Sequence, residues 1–305
     1  MSPPSPDKTT SRSISGAIFG AAAFLIWGIS PLYWKTLTAV PAIEIVAHRV
    51  VWSFLLLMPL ILYRKRWKEF LLTVTNWRSM AILAVTSLFV SCNWLVYIWA
   101  INNGFLLQAS LGYYINPLVN VLLGTLFLRE RLRSFQGLAV LLAGSGVLYL
   151  TIGYGQFPWI ACILAFTFGL YGLIRKVINV GSLVGLAMET FLLMVPALGY
   201  LIYLGMNGSA AFFKLSLQID LLLTGTSVVT ALPLLLFAMS ARRVRLTTLG
   251  FLQYIAPSCM FVMAVFVYLE PFRTEQLISF VLIWTALAVY SIDSVVHYRR
   301  FGMTA

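Results

Sequence analysis

Ten long apolar stretches follow one another along the chain, and short polar segments separate them. An α-helix rises about 1.5 Å per residue, so about 20 residues cross the hydrocarbon core of a bilayer, and every stretch is close to that length. Strands of a membrane barrel would instead alternate over about ten residues. The pattern predicts an all-α membrane protein whose ten transmembrane helices are Gly16–Lys35, Glu44–Tyr63, Met80–Asn102, Leu107–Leu128, Phe135–Ile152, Phe157–Ile174, Leu183–Leu204, Leu217–Ser240, Thr248–Leu269 and Leu277–His297.

Positive charge falls in every second gap between these stretches. Seventeen of the 21 Lys and Arg residues lie there, beginning with the 1–15 tail and ending with Arg299 and Arg300. Cytoplasmic loops of membrane proteins retain positive charge, so both termini are predicted to be cytoplasmic. The net charge of +12 is spread over six segments rather than gathered on one face, which argues against a nucleic-acid partner.

Composition excludes a water-soluble domain and gives no sign of an enzyme. Hydrophobic residues make up 61% of the chain and charged residues 10%, whereas soluble domains are about half apolar and about a quarter charged. The three cysteines all lie in apolar stretches without metal-ligand spacing. No Gly-rich phosphate loop, nucleophile elbow or metal-binding His/Glu motif is found. We therefore expect no catalytic residues, no metal site and no cofactor.

The chain also repeats itself at a nearly constant offset. The segment Tyr114–Pro117 (YINP) matches Tyr254–Pro257 (YIAP) 140 positions later, and Phe24–Lys35 resembles Ala165–Lys176 at an offset of 141. These matches predict two five-helix units, 16–152 and 157–297. Because five is odd, the second unit enters the membrane inverted, which is the construction of many secondary transporters.

Several segments together resemble the RarD branch of the EamA group in the drug/metabolite transporter superfamily. They are FLIWGISPLYWK (24–35), AHRVVWSF (47–54), NWLVYIWAINN (93–103), LGYYINPLVN (111–120), FLRERL (127–132) and TLGFLQYIAP (248–257). The resemblance runs from about Gly16 to Arg300. It implies ten helices in two inverted repeats, a bacterial inner (plasma) membrane location, and transport of small metabolites or drugs.

Charged and titratable groups inside a membrane span are functional candidates because their burial is costly. His48 and Glu189 are related by the offset of 141, and both types of side chain can exchange protons near neutral pH when suitably buried. We predict that they couple transport to protons; the alternatives are a structural Glu189 that is hydrogen-bonded to neighbouring backbone or hydroxyl groups, and a His48 that lies at the outer interface. Arg49 suits a carboxylate or phosphate group of the solute; the alternative is that it reaches out to lipid headgroups. Glu130 and Glu270, at equivalent span ends, are interpreted as structural anchors.

Amide and aromatic side chains supply the predicted solute contacts. Gln108, Gly112 and Asn116 recur every four residues in the fourth span, so they share one helix face. Such a face either lines a polar cavity or binds a neighbouring helix, and both interpretations stay open. Aromatic side chains near these amides either pack in the core or form a cavity wall. The predicted solute-binding residues are Trp27, Arg49, Asn93, Tyr97, Gln108, Tyr113, Asn116 and Gln253.

These patterns predict a secondary-active transporter, an exporter of small metabolites or drug-like solutes, that works by alternating access with proton coupling. Its partners would be the solute, protons and membrane lipids, and a homodimer stays possible. An alternative is a membrane-embedded scaffold or sensor, in which small residues such as Gly16, Gly20, Gly144 and Gly146 form helix-association faces. Facilitated diffusion without a coupling ion is a further alternative.

Overall fold

The computed structural model describes residues 6–128, 133–155, 157–241, 243–244 and 252–301, and within these ranges all regular structure is helical. The helix at Ile255–Val262 continues into a π-helical turn, Met263–Val267. The helices are α1 (Pro6–Lys35), α2 (Ala42–Tyr63), α3 (Trp67–Thr75), α4 (Trp77–Asn102), α5 (Leu106–Leu128), α6 (Ser134–Tyr154), α7 (Trp159–Val177), α8 (Ser182–Met206), α9 (Leu217–Ala241), α10 (Ile255–Val262) and α11 (Thr274–Phe301).

Eight of the described helices are long and apolar enough to cross a membrane. Two shorter apolar segments, Trp159–Arg175 and Ile255–Val267, occupy the places of the sixth and ninth predicted spans. Residues 248–251 of the ninth predicted span lie outside the described residues, as does Glu130. The all-helical, multi-pass membrane fold predicted from the apolar pattern is confirmed.

The short helix α3 was not predicted, because its sequence lies within the most basic gap of the chain. Phe70 and Thr73 on one face are buried, whereas Leu72 on the other is exposed. Asn76 then starts α4 by accepting a hydrogen bond from the backbone N–H of Ser79 at 3.1 Å. A short amphipathic helix therefore connects α2 to α4 along the surface of the bundle.

Helices α2 and α8 pack against each other in opposite directions. Near the start of α2, Glu44 Oε1 accepts a hydrogen bond from the backbone N–H of Ala211, just beyond the end of α8, at 2.7 Å. Past the end of α2, Glu69 Oε1 accepts one from the backbone N–H of Gly181, just before α8, at 3.2 Å. We call these two ends of the bundle the Glu44 end and the Glu69 end.

The packing between helices has a regular scheme. Helix α1 packs on α9 and α10, α7 packs on α4 and α5, α2 packs on α9, and α8 packs on α4. Together with the pairs α2–α8, α5–α10 and α6–α11, these are the most extensive contacts between the described helices, and smaller ones such as α2–α4 and α5–α6 lie outside this set. The set is symmetric: if α1, α2, α4, α5 and α6 are exchanged with α7, α8, α9, α10 and α11, respectively, the same pairs result.

Glycines allow the closest of these helix approaches. A Cβ added to Gly28 of α1 would lie 2.8 Å from Cys259 Cβ and 3.1 Å from Ala256 Cα in α10. A Cβ on Gly112 of α5 would lie 2.7 Å from the carbonyl oxygen of Ala161 in α7. Both contacts bring backbones together as small residues do in membrane helix pairs.

Glu270 joins the segment after α10 to the start of α5. Its two carboxylate oxygens accept hydrogen bonds from the backbone N–H groups of Leu106 and Leu107, each at 2.8 Å. The first N–H groups of a helix lack partners within the helix, and a carboxylate there also favours the helix dipole. Glu270 therefore has the geometry of a structural anchor.

Candidate functional site

The start of α2 is unusually polar for a buried segment. Every residue from Glu44 to Val50 is buried, which includes Glu44, His48 and Arg49. Arg49 is 7% exposed, and its guanidinium lies 3.9 Å from the ring centroid of Trp94 and 5.3 Å from that of Trp34. Its charge is therefore held between α1 and α4 and does not reach out from the bundle as an interfacial arginine would.

Arg49 has no acidic partner among the residues that the structure describes. Its buried Nε has no hydrogen-bond partner there either. Stacking on aromatic rings contributes about 0.5–2 kcal/mol, whereas desolvation of an unpaired charge costs several kcal/mol. The described contacts of Arg49 thus offset only part of the cost of its burial, which is typical of a side chain kept for binding.

A hydrogen-bonded network adjoins Arg49 and connects three helices. Asn93 Nδ2 of α4 donates to the carbonyl oxygen of Leu164 and to Thr167 Oγ1 of α7, both at 3.0 Å. Tyr113 of α5 donates to Asn93 Oδ1 at 3.2 Å. The ring of Tyr113 also meets that of Tyr97 edge-on, with centroids 5.6 Å apart.

Tyr97 extends this network to α1 and α10. Its hydroxyl shares a hydrogen bond with Ser30 Oγ at 3.1 Å and lies 3.9 Å from Met260 Sδ. We call the residues Ser30, Trp34, Arg49, Asn93, Trp94, Tyr97, Tyr113, Thr167 and Met260 the Arg49 cluster. It brings together helices from both predicted repeats, and it contains three of the predicted solute-binding residues besides Arg49.

Glu189 of α8 forms a second buried cluster. Its side chain is 0% exposed. Oε1 accepts a hydrogen bond from Thr86 Oγ1 at 2.7 Å, and Oε2 accepts one from Tyr171 at 3.2 Å. Arg175 Nε, in the last turn of α7, lies 3.8 Å from Oε1. These residues form the Glu189 cluster, in which each carboxylate oxygen has a hydrogen-bond donor.

Gly185 makes room for the Arg175 side chain. A Cβ on Gly185 would fall 1.9 Å from Arg175 Nη1, so any larger residue would displace the guanidinium. Arg175 Nη2 also donates to the carbonyl oxygen of Gly181 at 3.4 Å. Gly185 precedes Glu189 by one helical turn, so the guanidinium passes over this turn to reach the carboxylate.

His48 lies at the Glu44 end and has few polar partners. Trp52 Nε1 donates to His48 Nδ1 at 3.2 Å, and the imidazole packs on Phe212 with centroids 4.8 Å apart. His48 Nε2 is buried without a hydrogen-bond partner in the described residues. His48 and Glu189 each lie about two helical turns from the start of their antiparallel helices, so they approach opposite ends of the bundle.

The other predicted solute-binding residues lie apart from the Arg49 cluster. The side chains of Gln108 and Asn116 each keep a buried oxygen without a partner among the described groups, but Gly112 between them packs on α7. This contact favours helix association for that face of α5. Gln253 lies in the turn before α10 and interacts with the neighbouring Tyr254. Trp27 packs between Phe24 and Phe237.

A cavity of about 660 Å³ opens at the Glu44 end, between residues 38–43, the end of α4 and Trp159. Its walls are mainly apolar, with Asn102 and Asn103 among the few polar contributors. None of the ten predicted site residues lines it. The cavity and the two buried polar clusters are therefore separate features of the molecule.

Several residues of these clusters were not assigned a role from the sequence. Arg175 contributed only to the pattern of cytoplasmic charge, and Thr86 and Trp34 gave no signal of their own. One clue existed, because a buried glutamate requires donors and the adjacent Arg175 and Lys176 are the nearest cations before Glu189 in the sequence. The direction of an arginine side chain at a span end, inward or outward, depends on the space that Gly185 leaves.

A bundle of membrane-length helices with charged and amide side chains buried between them defines a multi-pass α-helical membrane protein. The model of the EamA-like transporter family matches residues 14–152. A protein named RarD from Escherichia coli (strain K12) is 42% identical over 285 residues, with 93% of this chain and 96% of that protein covered. The chain belongs to the RarD branch of the EamA-like transporter family.

Two further relatives and one solved structure extend the comparison. A protein of Vibrio cholerae named as an uncharacterized transporter is 47% identical over 94% of this chain and 95% of its own length. The chloramphenicol-sensitive protein RarD of Pseudomonas aeruginosa is 31% identical over 92% of this chain and 94% of its own length. A crystal structure of a protein at 20% identity gives a TM-score of 0.59 over 90% of this chain and 96% of that chain, which supports the fold.

Proposed function

We propose that this protein is a secondary-active transporter of the bacterial inner membrane that exports small metabolites or drug-like solutes by alternating access. The observation that carries the proposal is the Arg49 cluster, in which an unpaired buried cation and an amide network lie between α1, α2, α4 and α5 on one side and α7 and α10 on the other. Substrate sites of inverted-repeat transporters lie between the repeats.

The proposed architecture is ten spans in two inverted repeats, 16–152 and 157–297, with both termini cytoplasmic. The most extensive helix pairs support it, because exchanging the helices of the two repeats gives the same set of pairs. Two glycines 141 positions apart, Gly28 and Gly169, also support it. A Cβ on Gly28 would meet Cys259, and a Cβ on Gly169 would meet Val119, which lies 140 positions before Cys259. Two halves that exchange conformations give outward-open and inward-open states of similar energy.

The Glu189 cluster gives this mechanism a means of proton coupling. With Glu189 ionised, the attraction to Arg175 and the hydrogen bonds from Thr86 and Tyr171 hold α4, α7 and α8 together near the Glu69 end. Protonation removes the charge that attracts Arg175, so it favours separation of these helices. His48 occupies the equivalent position near the Glu44 end and would serve the opposite opening.

The names of relatives support transport, and one of them bears on the solute. Similar proteins are named transporters, and the name of the Pseudomonas aeruginosa relative refers to chloramphenicol sensitivity, which is consistent with a drug-like solute. Among the small residues of the scaffold alternative, Gly16, Gly20 and Gly146 pack inside this chain, against residue 243, Ser240 and Ser279 respectively. Those contacts leave fewer faces for a partner and favour transport over a scaffold.

Transport is tested with purified protein in sealed vesicles that carry an imposed pH gradient. A thermal-shift screen of a metabolite library supplies the probe solute, because a ligand that binds only the folded state stabilises it. Counterflow of that solute is expected, with rates that depend on the gradient. A bound solute without counterflow would indicate the scaffold alternative, and counterflow indifferent to pH would indicate facilitated diffusion.

The roles of Glu189 and His48 are tested in the same vesicles. Glu189→Gln and His48→Ala are expected to lose the dependence on the gradient. Glu270→Gln is the matched control, because Glu270 is a buried carboxylate that caps α5. Gradient-driven transport at the wild-type rate in Glu189→Gln and His48→Ala would remove both residues from the mechanism.

A further inference from the structure

Two partly exposed arginines elsewhere in the described part of the chain each lie beside a carboxylate. Arg175 lies 3.8 Å from Glu189, and Arg133 Nη2 pairs with Asp293 Oδ2 at 2.8 Å. Arg49 is 7% exposed, yet the described residues place no carboxylate within 4.0 Å of it. The burial of Arg49 without a carboxylate differs from these two pairs and requires an explanation.

The acidic residues Glu44 of α2 and Asp220 of α9 each accept a backbone hydrogen bond away from Arg49, although Glu44 Oε2 has no partner among the described groups. Glu44 Oε1 accepts from the backbone N–H of Ala211 at 2.7 Å, and Asp220 Oδ1 accepts from that of Phe213 at 2.8 Å. What surrounds Arg49 instead is aromatic and neutral: Trp34 of α1, Trp94 of α4, and the nearby tyrosines 97 and 113. Within the described part of the chain the guanidinium therefore has no resident counter-ion.

We infer that the transported solute is a monoanion whose carboxylate binds the Arg49 guanidinium, and whose apolar or aromatic body packs on the rings of the Arg49 cluster. This inference rests on the proposed transport function, since it names the class of solute. An arginine keeps its charge at any physiological pH and presents a planar fork that binds a carboxylate in a bidentate manner. One guanidinium without a second nearby cation matches one negative charge.

The neighbouring groups suit the remainder of such a molecule. Trp94 covers one face of the guanidinium at 3.9 Å, which fixes the plane in which the fork points. The rings of Tyr97 and Tyr113, 5.6 Å apart and nearly perpendicular, offer an aromatic wall. Asn93 has its oxygen and nitrogen occupied by Tyr113, Leu164 and Thr167, so it shapes this wall rather than binding the charge.

The first experiment measures binding to the purified full-length protein, by thermal shift and by quenching of tryptophan fluorescence. Benzoate is the probe, and benzamide is its neutral control of the same shape. Benzoate is expected to raise the unfolding temperature and to quench fluorescence, while benzamide at equal concentration does neither. Equal effects of the two compounds would overturn the inference, because the charge would then be irrelevant.

Two substitutions of Arg49 and one control locate the site. Arg49→Lys keeps the charge but not the fork or the stacking, and Arg49→Gln removes the charge; both are expected to weaken benzoate binding at least tenfold. Arg78→Lys is the matched control, since Arg78 also lies over a tryptophan, Trp77, but is exposed. If Arg49→Gln fails to fold, binding of benzoate to Arg49→Lys still tests the assignment. Unchanged binding in Arg49→Lys and Arg49→Gln would refute the assignment.

Other anions could bind a guanidinium as a carboxylate does, and further measurements distinguish them from benzoate. Chloride and inorganic phosphate are expected to stabilise the protein less than benzoate at the same concentration; equal stabilisation by chloride would reduce the site to one for a counter-ion. Protein in nanodiscs of phosphatidylglycerol is expected to bind benzoate as well as protein in phosphatidylcholine. A loss of benzoate binding confined to phosphatidylglycerol would assign the site to a lipid headgroup and overturn the inference.

Failure of the inference is distinguishable from failure of the transport proposal. Benzoate binding that requires Arg49, without counterflow of any solute, would support an anion site and refute transport. Counterflow of a neutral solute at the wild-type rate in Arg49→Lys would support transport and refute an anionic solute.

Discussion

The buried side chains of Glu189 and Arg49 differ in how far their neighbours offset the cost of burial. Glu189 is fully enclosed but receives hydrogen bonds from Thr86 and Tyr171 and lies beside Arg175. Arg49 is nearly as enclosed but finds only aromatic faces in the described structure. In a nonpolar environment this difference separates a satisfied group from one that is ready to bind an oppositely charged ligand.

Thr86→Val is expected to lower the unfolding temperature of the purified protein. The substitution removes the 2.7 Å hydrogen bond to Glu189 Oε1 and leaves a buried carboxylate oxygen with a more distant donor, at a cost of about 1–3 kcal/mol. Thr86→Ser keeps the hydroxyl and serves as the control. In a Glu189→Gln background the effect of Thr86→Val should shrink, because the charge is absent; an undiminished effect would mean that Thr86 acts through packing alone.

At the scale of elements, the helices are held together by close backbone approaches and by side chains that cap helix ends. Gly112 lets α5 approach α7 at Ala161, and Glu270 satisfies the first N–H groups of α5 from the segment after α10. Without water in the hydrocarbon region, unpaired backbone groups are costly, so such caps weigh more than on a soluble surface.

Glu270→Ala is expected to destabilise the protein by about 1–2 kcal/mol, because two N–H groups at the start of α5 lose their acceptors. Thermal unfolding in detergent measures it. Glu270→Gln keeps one acceptor oxygen and should fall between Glu270→Ala and the wild type. An unfolding temperature of Glu270→Ala equal to that of the wild type would show that water or detergent replaces the cap.

Gly112→Ala is expected to destabilise the α5–α7 pair, by about 1–3 kcal/mol, because its methyl group would meet the Ala161 backbone at 2.7 Å. Backbone atoms of a packed helix cannot swing aside as a flexible side chain can. Gly172→Ala is the matched control on α7, since its Cβ would meet nothing within 4 Å. Similar unfolding temperatures for the two variants would contradict the close approach.

At the scale of the whole molecule, the two proposed repeats share their most extensive helix contacts but differ in chemistry. Gly28 and Gly169 make equivalent contacts with opposite halves. The equivalent positions 48 and 189, however, hold an imidazole with an unpartnered nitrogen and a carboxylate with several donors. In the proposed transporter the two ends would therefore respond differently to pH.

Two exposed lysines test the predicted orientation in the membrane. In a background without cysteines, Lys214→Cys is expected to react with a membrane-impermeant maleimide added to intact cells. Lys68→Cys, on the charged α3 segment, is expected to react only after permeabilisation, because positively charged loops stay in the cytoplasm. Labelling of both residues from the same side would contradict the predicted inverted arrangement.

The helical membrane fold was predictable because the length of an apolar segment is a local property of the sequence, and this length must match the thickness of the bilayer core. Most positions of candidate residues along the helices were also predictable, since the 3.6-residue period fixes which residues share a face. The outcome for the face that includes Gln108 and Asn116 was not, because a stripe of small and polar residues suits a helix neighbour and a cavity equally well. The contact of Gly112 with Ala161 favours the helix neighbour.

The sequence by itself determined that this is an all-helical, multi-pass membrane protein with charged groups inside its long apolar segments. Only the tertiary structure decided which charge is compensated, because the partners lie far apart in the sequence: Thr86 meets Glu189 across 103 residues, and Arg175 turns inward over Gly185. Local composition fixes the energy of burying a group, whereas the packing of distant helices fixes whether a partner is there to offset it.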